Sequence, residues 1–136
     1  MAYWLVKEEP EKYNFAKLLK DGETAWDGVR NYQARNNLRE MAVGDELIYY
    51  HTGKERSAVG TAVVKREAYP DPTAKEGDWS CVDVTPGESF ARPVTLKEIK
   101  ADPKLADCAL VKQGRLSVVP LTAAEFKRIR SLGKKA

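Results

Sequence analysis

The stretch Thr24 to Met41, TAWDGVRNYQARNNLREM, gathers more side chains able to recognise a ligand than any other part of the chain. Trp26 stands just before Asp27 and Gly28, a turn pair. Arg30, Asn31, Tyr32, Gln33, Arg35, Asn36, Asn37 and Arg39 follow in quick succession. Forked guanidiniums hold phosphates, aromatic faces stack on bases, and amides present both a donor and an acceptor to a base edge. Arg30 and Arg35 are therefore candidate phosphate contacts, and Asn31, Tyr32, Asn36 and Asn37 candidate base contacts. Trp26 has two readings: a wall that stacks on a base, worth ~1–3 kcal/mol, or a core aromatic, since Trp is usually well buried. Two adjoining asparagines inside a helical pattern are poor helix formers, and such local violations concentrate at functional sites.

Other candidates lie far off in the chain. Lys7, His51 and Ser117 carry donors or acceptors suited to a base edge. Tyr49 and Tyr50 adjoin in one strand pattern, so at most one faces a ligand. His51 reads equally as a structural histidine, and Arg115 as a partner for a helix carboxylate. Trp79 either packs under a loop or stands at a pocket mouth as a second wall. Catalytic chemistry finds little support. A single His, with Cys81 and Cys108 distant from it, offers no metal-ligand spacing. No glycine-rich phosphate loop and no nucleophile-elbow string is present. Asp27 and Asp45 each neighbour a turn glycine, where Asp is commonly structural. The expectation is a binding module without cofactor or metal.

The elements that position these residues follow from pattern. Ala2–Glu8 reads as a strand, and Asn14 caps a short helix, Phe15–Lys20, closed by Gly22, with Phe15, Leu18 and Leu19 inward. From Asn31 the spacing predicts a helix with Ala34, Leu38 and Met41 on its apolar stripe. Glu46–Thr52 and Ser57–Tyr69 read as strands; in the second, Ala58, Gly60 and Ala62 leave one face open to a close neighbour. Tyr69–Asp78 is a loop by its prolines, glycine and charges. Ser80–Thr85 is a strand, Pro86–Gly87 a turn, and Ser89–Pro93 a short further strand. Thr95 with Glu98, and Thr122 with Glu125, are capping boxes that open two helices. The segment 102–112 reads as irregular, and Arg115–Val119 as the last strand. Ala123, Phe126 and Ile129 should face inward, and Gly133 should end the final helix, leaving 134–136 as a disordered basic tail. Strands interspersed with helices in one domain, residues 1–133, make the class α+β.

Composition agrees with one soluble domain: 136 residues, 43% apolar and 32% charged. The net charge of +3 permits a nucleic-acid partner without demanding one. No secretory leader pattern and no membrane-length apolar run is visible, so the expectation is a cytoplasmic protein with reduced cysteines and no membrane partner.

The string WDGVRNYQARNNLREM, with YWLVKEEP before it and GDELIYYHT after it, strongly resembles the EVE domain. The likeness continues through AVGTAVVKREAYPDPTA to GRLSVVPLT and so spans nearly the whole chain. The resemblance implies a PUA-like curved or closed β-barrel with flanking short helices, related to the YTH readers of methylated adenine and to the ASCH group. It further implies that Trp26 walls a cage around a modified base, and that Tyr49, His51, Arg115, Leu116 and Ser117 line or flank the pocket. The partner it implies is DNA carrying 5-methylcytosine or 5-hydroxymethylcytosine, or RNA with a modified base. The alternative is an RNA-processing or base-modifying enzyme on the same fold.

Overall fold

The structure, a computed structural model, describes residues 1–134. Six strands form one mixed sheet: β1 (Tyr3–Glu8), β2 (Thr24–Trp26), β3 (Glu46–His51), β4 (Ser57–Pro70), β5 (Ser80–Thr95) and β6 (Val118–Leu121), in the order β2-β5-β4-β3-β1-β6. β1 and β3 run parallel, Tyr3 opposite Glu46 through Glu8 opposite His51, and every other pairing is antiparallel. The helices are α1 (Phe15–Asp21), α2 (Tyr32–Glu40), α3 (Leu96–Ala101), α4 (Ala109–Lys112) and α5 (Ala123–Lys134), with a 3-10 turn at Pro103–Leu105. The class is α+β. No described helix is long and apolar enough to cross a membrane.

The sheet is not closed into a barrel, because β2 and β6 do not pair. Helix α2 spans the gap instead. Its Asn37 amide donates to the Val118 carbonyl on β6 (2.8 Å), and Arg39 donates to the Ser80 hydroxyl at the start of β5 (2.9 Å). Its inner face is the predicted stripe, with Ala34, Leu38 and Met41 all buried. The helix begins one residue later than the pattern implied, because Asn31 is its N-cap and accepts from the Ala34 amide (2.9 Å).

Several boundaries differ from the sequence reading. The expected break at Pro86–Gly87 is absent, and β5 runs unbroken for 16 residues. Register slips between Ala58 and Ala62 absorb the proline as bulges do. Thr61 Oγ1 also accepts from the Glu88 amide (2.8 Å), tying that segment to β4. The last strand is shifted to Val118–Leu121 and carries Pro120, tolerated because β6 is an edge. Segment 102–112 is short helix and 3-10 turn, with Asp102 capping the turn. Leu19 is 44% exposed, and Ala123 is also exposed, so neither joins the core. Helix α5 continues through Gly133 to Lys134, and a Cβ at Gly133 would run into the Phe90 ring. That glycine serves close packing, not helix termination; the remainder of the expected tail, 135–136, lies outside the described residues. Gly60 acts similarly: a side chain there would strike the Phe15 ring and the Glu88 carbonyl. The small-residue face of β4 is thus where α1 docks.

Candidate nucleic-acid interface

Trp26 ends β2 opposite Val82 and is only 6% exposed. Its ring meets Tyr49 edge-on, centroids 5.3 Å apart at 87°. Its remaining surface borders a cavity of about 420 Å³ shared with Glu8, Lys12, Tyr13, Asp27 and Gly28. Tyr49 holds two walls of that cavity, since its hydroxyl donates to the Tyr13 carbonyl while its ring supports Trp26. Burial pushes the Tyr49 hydroxyl well above the usual tyrosine range, keeping it a neutral donor.

The chain turns out of β2 at Gly28, whose φ of 77° suits glycine. Asp71 fixes this turn from the opposite loop. Its Oδ2 accepts from the Gly28 amide (2.8 Å) and from Arg30 (3.0 Å), and its Oδ1 from the Thr73 amide and hydroxyl. Burial alone would raise this carboxyl, but the bonds from Thr73, Gly28 and Arg30 outweigh it and hold it down to about 2. Asp27, facing the cavity, is shifted the other way, by burial and by the charge of Asp71.

The arginines of α2 clamp the same loop. Arg35 donates to the Asp78 carbonyl (3.0 Å), and Arg39 pairs with the Asp78 carboxylate (2.8 Å). The loop ends in Trp79, stacked on Tyr32 with centroids 5.0 Å apart at 20°. Arg35 lies 5.0 Å from the Tyr32 ring and Arg30 lies 5.6 Å from the Trp79 ring, so cations flank the stack. Tyr32 is 66% exposed, leaving an aromatic surface open to solvent.

The helix amides are engaged locally. Asn31 caps α2, Asn36 accepts from Arg35 (2.9 Å), and Asn37 holds β6. Both ring nitrogens of His51 are also occupied: Nε2 accepts from the Phe15 amide (3.1 Å), and Nδ1 faces Glu55 (3.0 Å). His51 is buried and borders neither this cavity nor the cleft described next.

Lys7, Arg115 and Ser117 come together across the sheet end, with Tyr50, around a cleft of about 500 Å³. The Lys7 ammonium donates to the Gly114 carbonyl (2.8 Å), and burial lowers its pKa, partly offset by Cys108. Arg115 has no carboxylate partner among the described residues, so the expected pairing with a helix is absent. The structure therefore divides the predicted residues. Trp26 walls one cavity, Lys7, Arg115 and Ser117 the cleft, and Arg30, Tyr32, Arg35 and Trp79 an outer stack. Sequence reasoning missed Glu8, Tyr13 and Asp27 as cavity walls and Arg56 and Lys100 as cleft residues. Only Asp27, adjoining Trp26, carried a local signal.

This arrangement has close counterparts. The EVE domain family pattern matches residues 2–132. Mouse thymocyte nuclear protein 1 is 39% identical over 164 aligned residues, taking in 96% of this chain and 73% of the relative. The crystal structure of a protein from Agrobacterium tumefaciens superposes with a TM-score of 0.94 at 40% identity, covering 98% of this chain and 93% of the other. Human THYN1, in complex with DNA containing 5-methylcytosine, superposes with a TM-score of 0.90 at 35% identity, covering 100% of this chain and 99% of that one. With its fold and its signature stretch matched from end to end, the chain belongs to the EVE domain family.

Proposed function

We propose that this domain is a non-catalytic reader of a modified base in nucleic acid, 5-methylcytosine in DNA being the favoured ligand, and that the base enters the cavity beside Trp26. The observation that carries this reading is the whole-length likeness to human THYN1, which was crystallised with DNA containing that base. The cavity chemistry supports it. Trp26 and Tyr13 give the base aromatic walls, and the carboxylates of Glu8 and Asp27 match the exocyclic amine of cytosine, a donor that carboxylates accept from. Trp26 presents only part of its ring, so it acts as a wall braced by Tyr49. His51 supports the same wall from behind, 5.7 Å from Tyr49. The Tyr32–Trp79 stack, with Arg30 and Arg35, forms an outer lip for a neighbouring base, while Asn31, Asn36 and Asn37 hold the helix that carries it. Taking a base out of a duplex costs a few kcal/mol, so single-stranded sites bind better.

The test is a titration of single-stranded oligonucleotides that differ at one position: 5-methylcytosine, cytosine, thymine, and their RNA equivalents. The methylated DNA strand should bind tightest. Equal affinity for all of them, or conversion of the modified base during incubation, would overturn the reading; conversion would favour an enzyme.

A further inference from the structure

Arg30, just before α2, and Arg35 and Arg39 on it are committed to the Asp71–Trp79 loop, which leaves the placing of the nucleic-acid backbone to other cations. The 500 Å³ cleft supplies them from four separate segments. Lys7 comes from β1, Arg56 from the β3–β4 turn, Lys100 from α3, and Arg115 from the turn before β6. Arg30, Arg39, Arg92 and Arg128 each pair with a carboxylate. By contrast, the Arg56 and Arg115 guanidiniums and the Lys100 ammonium have no carboxylate partner among the described residues. The same wall carries the carboxylates of Glu8 and Glu9, so four cations stand against two anions, and the excess of positive charge on a concave wall attracts an anion. Arg56 is also the one described non-glycine with positive φ (41°), a conformation secured by the Leu96 amide donating to its carbonyl (2.8 Å).

The cleft is continuous with its neighbours. It shares Glu8 with the Trp26 cavity, and Arg56 and Lys100 with a hollow that adds Lys97. On the other side it shares Gly114 and Arg115 with a hollow that adds Lys112 and reaches Asn31 and Gln33 at the head of α2. A free phosphate needs one such hollow; a chain of them abutting a base-sized cavity fits a polymer.

We propose that this cleft is the phosphodiester track of the domain, with Lys7, Arg56, Lys100 and Arg115 contacting successive phosphates of a single strand whose base occupies the Trp26 cavity. The placement of the base rests on the function proposed above; the track stands on the charge and continuity of the cleft. Glu8 sits where the two spaces meet and separates the anionic track from the base. Lys97 extends the track at one end, and Lys112, which pairs with Asp107 (3.4 Å), borders the other.

Arg56→Gln with Lys100→Gln is the informative variant, because both side chains are unpaired and neither borders the Trp26 cavity. Binding of a single-stranded 5-methylcytosine oligonucleotide is followed from about 50 to about 200 mM salt, beside Lys127→Gln on the exposed face of α5 as control. Four phosphate contacts on a single strand weaken binding about 50-fold over that range, and two contacts about sevenfold. The double variant should show the smaller loss, and the parent and Lys127→Gln the larger. An unchanged salt dependence in the double variant overturns the track, as does an equal reduction in the control. Inorganic phosphate that competes as well as the oligonucleotide would make the cleft a free-anion site and also overturn it. Cytosine and 5-methylcytosine strands bound equally, with the salt dependence still falling in the double variant, would sink the base reading and leave the track standing. A preference for the methylated strand with unchanged salt dependence would do the reverse.

Discussion

At the residue scale, Trp26 shows how one side chain can serve both fold and ligand. Being 6% exposed and braced by Tyr49, it contributes to the core as well as to the cavity. Trp26→Ala should therefore cost ~3–5 kcal/mol of stability together with binding, and the two losses are inseparable in that variant. Trp26→Phe keeps an aromatic wall and most of the packing. It should melt within a few degrees of the parent while binding more weakly, and binding at parental strength would remove Trp26 from the base contact. Asp71 allows a pH prediction. Its folded pKa of about 2 lies below the ordinary carboxylate value. The stabilisation is therefore complete above about pH 4 and lost as pH falls towards 2, about 2 kcal/mol in all. Thermal melts across that window should show a shallower acid limb for Asp71→Asn. Matching acid limbs would mean that the carboxylate does not anchor the Gly28 turn.

At the element scale, α2 does the work that a closing strand pair would do in a barrel. Asn37 and Arg39 tie its two sides to β6 and β5, while Ala34 and Leu38 fill the space beneath. Asn37→Ala removes a half-buried bond to the Val118 carbonyl, so a loss of ~1–3 kcal/mol is expected. Faster amide hydrogen exchange should be confined to β6 and the adjoining turn; uniform exchange across the sheet would show that the helix is not the seam. Steric glycines offer a second test. Gly60→Ala forces the Phe15 ring or the Glu88 carbonyl to move, an overpacking cost of ~1–3 kcal/mol. A thermal melt unchanged by that substitution would mean that α1 docks less tightly than the contact implies. These positions also mark what local pattern revealed. The small residues of β4 announced a close neighbour, but nothing local identified it as Phe15.

At the scale of the whole molecule, one sheet from β2 to β6 and one continuous core should unfold as a single cooperative unit, and the ligand should stabilise it as one. A ligand at 100 times its Kd adds about 2.7 kcal/mol, and at about 3 °C per kcal/mol for a chain of this size Tm rises by roughly 8 °C. Calorimetry with a single-stranded 5-methylcytosine oligonucleotide should show one transition moving by that amount. A second transition, or no movement at saturation, would contradict either the single unit or the ligand.

The amino-acid sequence by itself determined the α+β class, the capped helices at Asn14, Thr95 and Thr122, the buried stripe of α2 and the identity of the family. Those features depend on neighbours within a few residues, or on a string long enough to be recognised whole. It could not separate the roles of the charged and amide side chains on α2. Whether Arg35 binds a phosphate or the Asp78 carbonyl depends on a loop more than forty residues away, and the same holds for Arg30 and Asp71. The reach of β5 through Pro86 was decided by slips in its pairing with β4, which no local signal encodes. The basic cleft was likewise invisible. Lys7, Arg56, Lys100 and Arg115 lie on four separate segments, and only tertiary folding places cations from all four around one space.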